Sequence, residues 1–229
     1  MDHNNCWLKD QCKKLHCNDE NGCMILYKLN YLYNEAGIPL KLRKNMTLLI
    51  DSDGTDREQF IRLSEIQNNI VNYIKEGNNL YIYSTQTGNG KTSWALRLVQ
   101  SYLNKIWFRS NLECKVLFVN VPEFLLSMKA NITCPNEYYQ HIRKYVDDCD
   151  LVVWDDIANK SGTEFEISNL LSIINGRINK GKANIYTSNI APQALTELLD
   201  IRLASRIANQ SEWIQFNGGD KRYLSIKNN

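Results

Sequence analysis

The sequence predicts an α/β fold, a parallel sheet flanked by helices, and three observations carry that prediction. A short apolar run, Leu80 to Ser84, passes through Thr85-Gln86-Thr87-Gly88-Asn89-Gly90-Lys91-Thr92 into a run of helical character, Ser93 to Val99. A second apolar run, Leu151 to Trp154, ends in two adjacent acids, Asp155 and Asp156. Around these, strand-length apolar segments at 115–120 and 183–189 alternate with segments of helical period. That alternation is the pattern of a parallel sheet whose ligand sits at the carboxyl ends of its strands.

With 229 residues, 43% of them hydrophobic, the chain suits one medium domain with a real core, or one domain and a small appendage. This composition excludes a disordered chain. A formal net charge of +2 provides no global basic field, so contact with nucleic acid has to come from local patches. No apolar stretch approaches the roughly 20 residues that span a bilayer. Met1 to Cys6 lacks the basic-then-apolar order of a signal peptide, so the expected location is the cytoplasm, with no membrane partner. Seven cysteines are an odd number for a chain without a secretion signal, and disulfides do not account for them all.

Taken in order, the chain opens on Cys6, Cys12, Cys17 and Cys23, with His3 and His16 interleaved. Four thiolates can close a tetrahedral structural Zn²⁺ site and order a segment too short to build a core. An iron–sulfur cluster and free reduced thiols are the other readings of this spacing, and either histidine can replace a cysteine. From Met24 to Ala36, residues Ile25, Leu26, Leu29, Leu32 and Tyr33 recur at helical spacing, and Gly37-Ile38-Pro39 stops the run. Residues 1–36 therefore read as a Cys-rich docking module ending in a helix, and the alternative for the helix is packing on the main core. A linker follows over 37–58, basic at Lys41 to Lys44 and acidic at Asp51 to Asp56, and the main domain runs over 59–229.

Within the main domain a helix is predicted from about Arg57 to Lys75, closed by Gly77. After the strand, loop and helix around Lys91 comes the strand Lys115 to Asn120, then a helix with Pro122 in its first turn and Phe124, Leu125 and Met128 on its apolar face. The next helix, Glu137 to about Asp147, interleaves Tyr138, Tyr139 and Tyr145 with Arg143 and Lys144. Such a face can stack on the bases and neutralise the phosphates of a single strand, although core packing of the tyrosines is the favoured reading. A helix over Glu164 to Asn179, a strand ending at Asn189 and a helix over Asp200 to Ile207 complete the alternation. The segments 211–216 and 221–226 read as a terminal strand or hairpin.

The chemistry concentrates in two places. Gly88 and Gly90 let backbone N–H groups turn inward around a polyphosphate, at the positive end of the following helix dipole, which makes Thr87, Gly88, Asn89, Gly90, Lys91 and Thr92 the candidate ATP-binding loop. Lys91 reaches for the β- and γ-phosphates, and the Thr92 hydroxyl for Mg²⁺. Thr85 stands where the pattern has its first glycine, so it has to adopt an ordinary extended backbone conformation. At the end of the second apolar run, Asp155 is assigned to the Mg²⁺ shell and Asp156 to polarising the attacking water. Asn189, at the end of the fourth strand, is placed beside the γ-phosphate by the same topology.

These residues resemble the AAA+ helicase loaders of the DnaC/DnaI type and the related IstB-like transposition ATPases. The resemblance covers about residues 37–229 and rests on Gly37-Ile38-Pro39, Gly88 to Thr92, Val152 to Asp156, Thr187-Ser188-Asn189 and Leu203 to Arg206. It implies that Asn189 is the first sensor, that Arg206 is an arginine finger given to ATP on a neighbouring subunit, and that Ile38 and Pro39 lie near the adenine. It also implies a cysteine-rich module that grips a hexameric replicative helicase, a core that holds single-stranded DNA, and self-association across bound ATP. Two departures stand out: Asp156 replaces the usual glutamate, and the short C-terminus provides for a reduced or absent lid, with Arg222 the candidate for a second sensor. The small size and the cysteines look like a phage or mobile-element version of the family. The expected function is thus ATP-dependent loading of the replicative helicase. The alternatives are an ATPase that assists a transposase and a nucleotide-gated DNA clamp with little hydrolysis.

Overall fold

A computed structural model describes residues 6–8, 23–44, 48, 54–158 and 162–221. Its centre is a five-stranded parallel sheet made of β1 (Asn79–Tyr83), β2 (Val116–Asn120), β3 (Leu151–Asp155), β4 (Ala183–Ser188) and β5 (Glu212–Gln215), in the order β2-β3-β4-β1-β5. The middle strands read as continuous apolar runs because helices cover both faces: every residue of β3 and β4 is buried. Alternation along each strand sorts the two cores. Leu80, Ile82, Val116, Leu151, Val153 and Ile185 face one cluster, whereas Tyr81, Leu117, Val119, Val152, Trp154 and Tyr186 face the other.

The first cluster is closed by α1 (Met24–Glu35), α2 (Arg57–Asn68), α3 (Ile70–Lys75) and α4 (Lys91–Ile106); the second by α5 (Val121–Thr133), α6 (Glu137–Tyr145), α7 (Glu164–Asn179) and α8 (Ile201–Asn209). The starts of α5, α6 and α7 are set locally. Asn120, Asn136 and Thr163 each accept a bond from a backbone N–H of the first turn, and Thr163 with Glu166 completes a reciprocal capping box. The single helix expected over 57–75 is divided at Asn69, whose side-chain oxygen takes a bond from Asn72 Nδ2 at 2.8 Å instead of leaving the helix unbroken. Of the two terminal segments, 211–216 holds a fifth parallel strand beside β1, with Leu80 opposite Glu212, and residues 222–226 lie outside the described residues.

The helix of the first 36 residues is built onto the main core. Leu26, Leu29, Leu32 and Tyr33 are buried in the first cluster, and Phe118 N donates to Ala36 O at 2.9 Å, which ties the end of α1 to β2. Arg43, from the linker, folds back on the same helix, donating to Ile38 O, Asn30 Oδ1 and Asn34 Oδ1 and lying over the Tyr33 ring. Cys6 and Cys23 pack half-buried against this cluster, while Cys12 and Cys17 lie outside the described residues. On α6 the tyrosines turn inward: Tyr139 stacks on Phe124 at 5.6 Å, and Tyr138 and Tyr145 pack on the second cluster, with Arg143 and Lys144 left exposed.

At the amino ends of the strands, fully buried Arg177 gathers the chain. It donates to Val146 O and Ala183 O, both at 2.6 Å, to Cys149 O at 3.1 Å and to Asn184 Oδ1 at 2.9 Å. Burial pulls its pKa below the ordinary guanidinium value, and these oxygens are what make a charge tolerable there. Among the described residues no helix is long and apolar enough to cross a membrane.

Candidate nucleotide site

The ladder of β1 and β4 runs one residue past the strand, with Ser84 N donating to Ser188 O at 3.2 Å, and the Ser84 hydroxyl then receives Gln86 N at 3.1 Å to start the loop. Gly88 and Gly90 take positive φ, +76° and +100°, and Thr85 is not among the described residues that do, as its β-branched side chain requires. Gly90 sits at the cap of α4, its carbonyl accepting Trp94 N at 2.9 Å. Lys91 is turned into the loop and only 6% exposed, with Nζ donating to Gln86 O at 3.0 Å and Asn89 Oδ1 at 3.2 Å. Residues Thr87 to Ser93 line a cleft of about 430 Å³ together with Asp156 and Asn189. Three segments read separately from the sequence, the loop, the end of β3 and the end of β4, therefore meet at one place.

Asp155 closes the back of the cleft. One of its oxygens, Oδ1, accepts from Thr187 Oγ1 at 2.6 Å and from Thr92 Oγ1 at 2.9 Å. Burial pushes its pKa up, against the pull of these two hydroxyl bonds, and a cation bound beside it would offset that cost of ionisation. Thr187 also accepts Asp156 N at 3.0 Å. Asp156 itself adopts a left-handed conformation, φ +58°, which an aspartate tolerates better than most residues. That step ends the extended path of β3 and delivers the Asp156 side chain to the cleft, while Ile157 N donates to Thr187 O and Ser188 Oγ to Ile157 O. Thr187 is thus the link between the two acids. In the sequence it shows only as a hydroxyl at the end of an apolar strand.

Of the remaining candidates Asn189 stands in the cleft, whereas Arg206 is exposed on α8 and is not among the described residues that line it. Ile38 is buried beneath α1 and Pro39 is exposed beside it, and neither is among the described residues that line the cleft. Arg222 lies outside the described residues. A contact that no local pattern announces comes from the C-terminal segment. Lys221 N donates to Gly88 O at 2.9 Å, and the Asp220 carboxyl lies against Gly88, where a Cβ would overlap its oxygens. Buried Asp56 anchors this segment by accepting Asn217 N at 2.7 Å and Gly218 N at 2.9 Å. Lys221 Nζ lies 5.2 Å from the Phe60 ring centroid and 5.9 Å from that of Phe216.

The donor set fits magnesium and a nucleoside triphosphate. Lys91 Nζ donates to a backbone carbonyl and an amide oxygen, neutral acceptors that phosphate oxygens outcompete, and a hydroxyl and a carboxylate stand together at Thr92 and Asp155. Among the described residues no three His, Cys, Asp or Glu side chains are grouped to hold a metal, and two of the four cysteines expected to bind zinc, Cys12 and Cys17, lie outside them.

A parallel sheet with a phosphate loop after β1 and an acidic pair at the end of β3 defines a P-loop ATPase domain. A family profile for the bacterial DnaA ATPase domain matches residues 58–210, more than half of the chain, and the chain belongs to that family of AAA+ ATPases. Its fold is shared with a crystal structure of the DnaC helicase loader (TM-score 0.59, 17% identity, covering 73% of this chain and 92% of the loader). DnaI gives a TM-score of 0.58 at 19% identity, over 79% of this chain and 95% of that one. The replication initiator DnaA, solved with AMPPCP and single-stranded DNA, gives 0.56 at 22% identity over 79% of this chain. The chain spans about half the length of that initiator, 51%, and 50% of a DNA replication initiation factor of similar fold. No curated protein sequence matches it.

Proposed function

We propose that this protein is an ATP-dependent loader of a hexameric replicative DNA helicase. The observation that carries the ATP-dependent part is the convergence of Lys91, Thr92, Asp155, Asp156 and Asn189 on one cleft or its back wall. The loader part is supported by the likeness of fold to the DnaC helicase loader and to DnaI, at TM-scores of 0.59 and 0.58.

In the working site Lys91 exchanges Gln86 and Asn89 for the terminal phosphates, while the loop N–H groups and the α4 dipole hold the rest of the polyphosphate. Thr92 and Asp155 are the residues that would hold Mg²⁺, which would supply positive charge against the phosphates. Asp156 orients the attacking water and takes its proton, and Asn189 fixes that water's position. Arg206, exposed on α8, serves the γ-phosphate of a neighbouring copy, so ATP promotes self-association. Single-stranded DNA is held by the assembled core, a reading supported by the initiator solved with such a strand. The four N-terminal cysteines bind one structural Zn²⁺ and form the part that docks on the helicase.

The deciding experiment is capture of a purified hexameric helicase by the protein with ATP, without nucleotide and with Lys91→Ala. Capture that depends on ATP and on Lys91 supports loading. Capture of a transposase in place of a helicase assigns the protein to transposition. ATP binding with neither partner captured overturns the loader reading.

A further inference from the structure

A second cavity, of about 540 Å³, opens at the opposite end of the sheet from the nucleotide cleft. Its position follows from topology. Lys115, Asp150 and Lys182 immediately precede β2, β3 and β4, so parallel strands bring their flanking residues together there. Strands of five residues separate the two ends by roughly 16 Å, which keeps this cavity distinct from the phosphate loop.

Five cations line it: Lys75 from the end of α3, Arg109 after α4, and Lys115, Lys180 and Lys182 from the strand approaches. Asp150 is the one carboxylate in the lining, and Asp148 and Glu113 stand on the rim, where they pair with Lys180 at 3.7 Å and Lys115 at 2.5 Å. The local excess is two positive charges, as large as the formal excess of the whole chain. Among the described residues no carboxylate pairs with Lys75 or Arg109.

The rest of the lining is not what a bare counter-ion needs. Ile74, Ile106 and the ring of Tyr102 give it an apolar floor. Asp150 Oδ2 accepts from the Tyr102 hydroxyl at 2.9 Å and Oδ1 stands 3.7 Å from Lys182 Nζ, which leaves the carboxylate acceptor capacity for a further donor. Cations beside an apolar floor, with a carboxylate that can take a sugar hydroxyl, match the three parts of a nucleotide: phosphate, base and sugar. The volume is that of a small-ligand site.

We propose that this cavity is a second nucleotide site, binding a nucleoside phosphate through its phosphate ester, and that Lys75 and Arg109 carry the phosphate. The nucleotide comes either free from solution or as one unit of a single strand. This goes beyond the loader reading and does not depend on it, because no residue of the cleft at Lys91 takes part.

The test uses the full chain carrying Lys91→Ala, which silences the phosphate loop. Binding of adenosine monophosphate and of inorganic phosphate is measured by calorimetry, and binding of a labelled single-stranded oligonucleotide by fluorescence anisotropy. Adding Lys75→Ala and Arg109→Ala should weaken the bound species about tenfold or more, the loss of charge-assisted bonds. The exchange Lys75→Arg with Arg109→Lys should keep affinity within about threefold, and the urea midpoint of both variants should match the parent. For a strand, the slope of log K against log salt should fall by about 1.4 in the double alanine variant, 0.7 for each phosphate lost. Binding of the monophosphate alone assigns the free nucleotide, and binding of the oligonucleotide alone assigns the strand. If Lys91→Ala protein binds neither, or binds them equally well without Lys75 and Arg109, the site does not exist. Helicase capture by the double alanine variant in an otherwise unaltered chain reports on the loader reading separately.

Discussion

Replacing Thr187 with valine should disable the site without altering its shape, since the two side chains are close in size and the position is fully buried. The hydroxyl has two bonds to lose: its donation to Asp155 Oδ1 at 2.6 Å and its acceptance of Asp156 N at 3.0 Å. The first is a bond to a charged acceptor, about 1.5–3 kcal/mol. The second leaves an N–H on a half-buried residue without its partner, about 1 kcal/mol. Together they predict a loss near 3 kcal/mol at neutral pH. Asp155 already has a raised pKa, so the folded protein binds its proton more tightly than the unfolded chain does. Ionising it therefore costs stability as pH rises above the unfolded value, and Thr187 reduces that cost. The deficit of Thr187→Val should accordingly be smaller near pH 4, where more of the carboxyl is protonated. Urea unfolding at both pH values measures it. With a slope of about 3 kcal/mol per molar the midpoint should fall by about 1 M at neutral pH. ATP turnover should fall with it, because Asp156 loses the bond that holds its left-handed backbone. Thr187→Ser should retain most of both. A valine variant within about 0.5 kcal/mol of the parent at neutral pH, with unchanged turnover, refutes the reasoning.

Lys91→Ala should abolish ATP binding and ATP-dependent assembly, read by nucleotide titration and by sizing with and without ATP; undiminished affinity rejects the phosphate-loop assignment. Arg206→Ala should bind ATP normally yet show no rise in specific activity with protein concentration, and mixing it with Lys91→Ala should partly restore turnover. An absence of rescue, with concentration-independent activity in the parent, argues against an intersubunit finger. Arg177→Ala should lower stability by about 4 kcal/mol or more in thermal or urea unfolding, because three backbone carbonyls and Asn184 lose a buried donor at once. Cys12→Ser with Cys17→Ser should lose one zinc per chain by elemental analysis while ATP binding persists, and a parent protein with no bound metal removes the zinc site.

The parts of this protein that its sequence determined are those whose physics is local. The glycines and Lys91-Thr92 between an apolar run and a helix define a phosphate loop within about ten residues, and the loop has the conformation this requires, with Gly88 and Gly90 at positive φ. The caps at Asn120, Asn136 and Thr163 lie within three residues of the N–H groups they satisfy, so the starts of α5, α6 and α7 could be read directly. Asp155 and Asp156 were legible because an acidic pair at the end of a buried strand has few structural uses.

Tertiary structure decided whatever depends on partners distant in the chain. A fifth strand beside β1 joins residues more than 130 apart, and nothing in Glu212 to Gln215 states which edge it will extend. Asp56 reads as a loop residue, yet its carboxylate is buried by N–H groups 161 and 162 positions away, and it anchors a segment that crosses the phosphate loop at Gly88. Thr187 gained its role only when β4 was laid beside β3, which set its hydroxyl between two acids some thirty residues earlier. Arg177 lies in a helical run with nothing local to distinguish it, and only the strand approaches surround it with carbonyls. In each case the short-range pattern is silent because the energy lies in a hydrogen bond to a group that only the fold brings within reach.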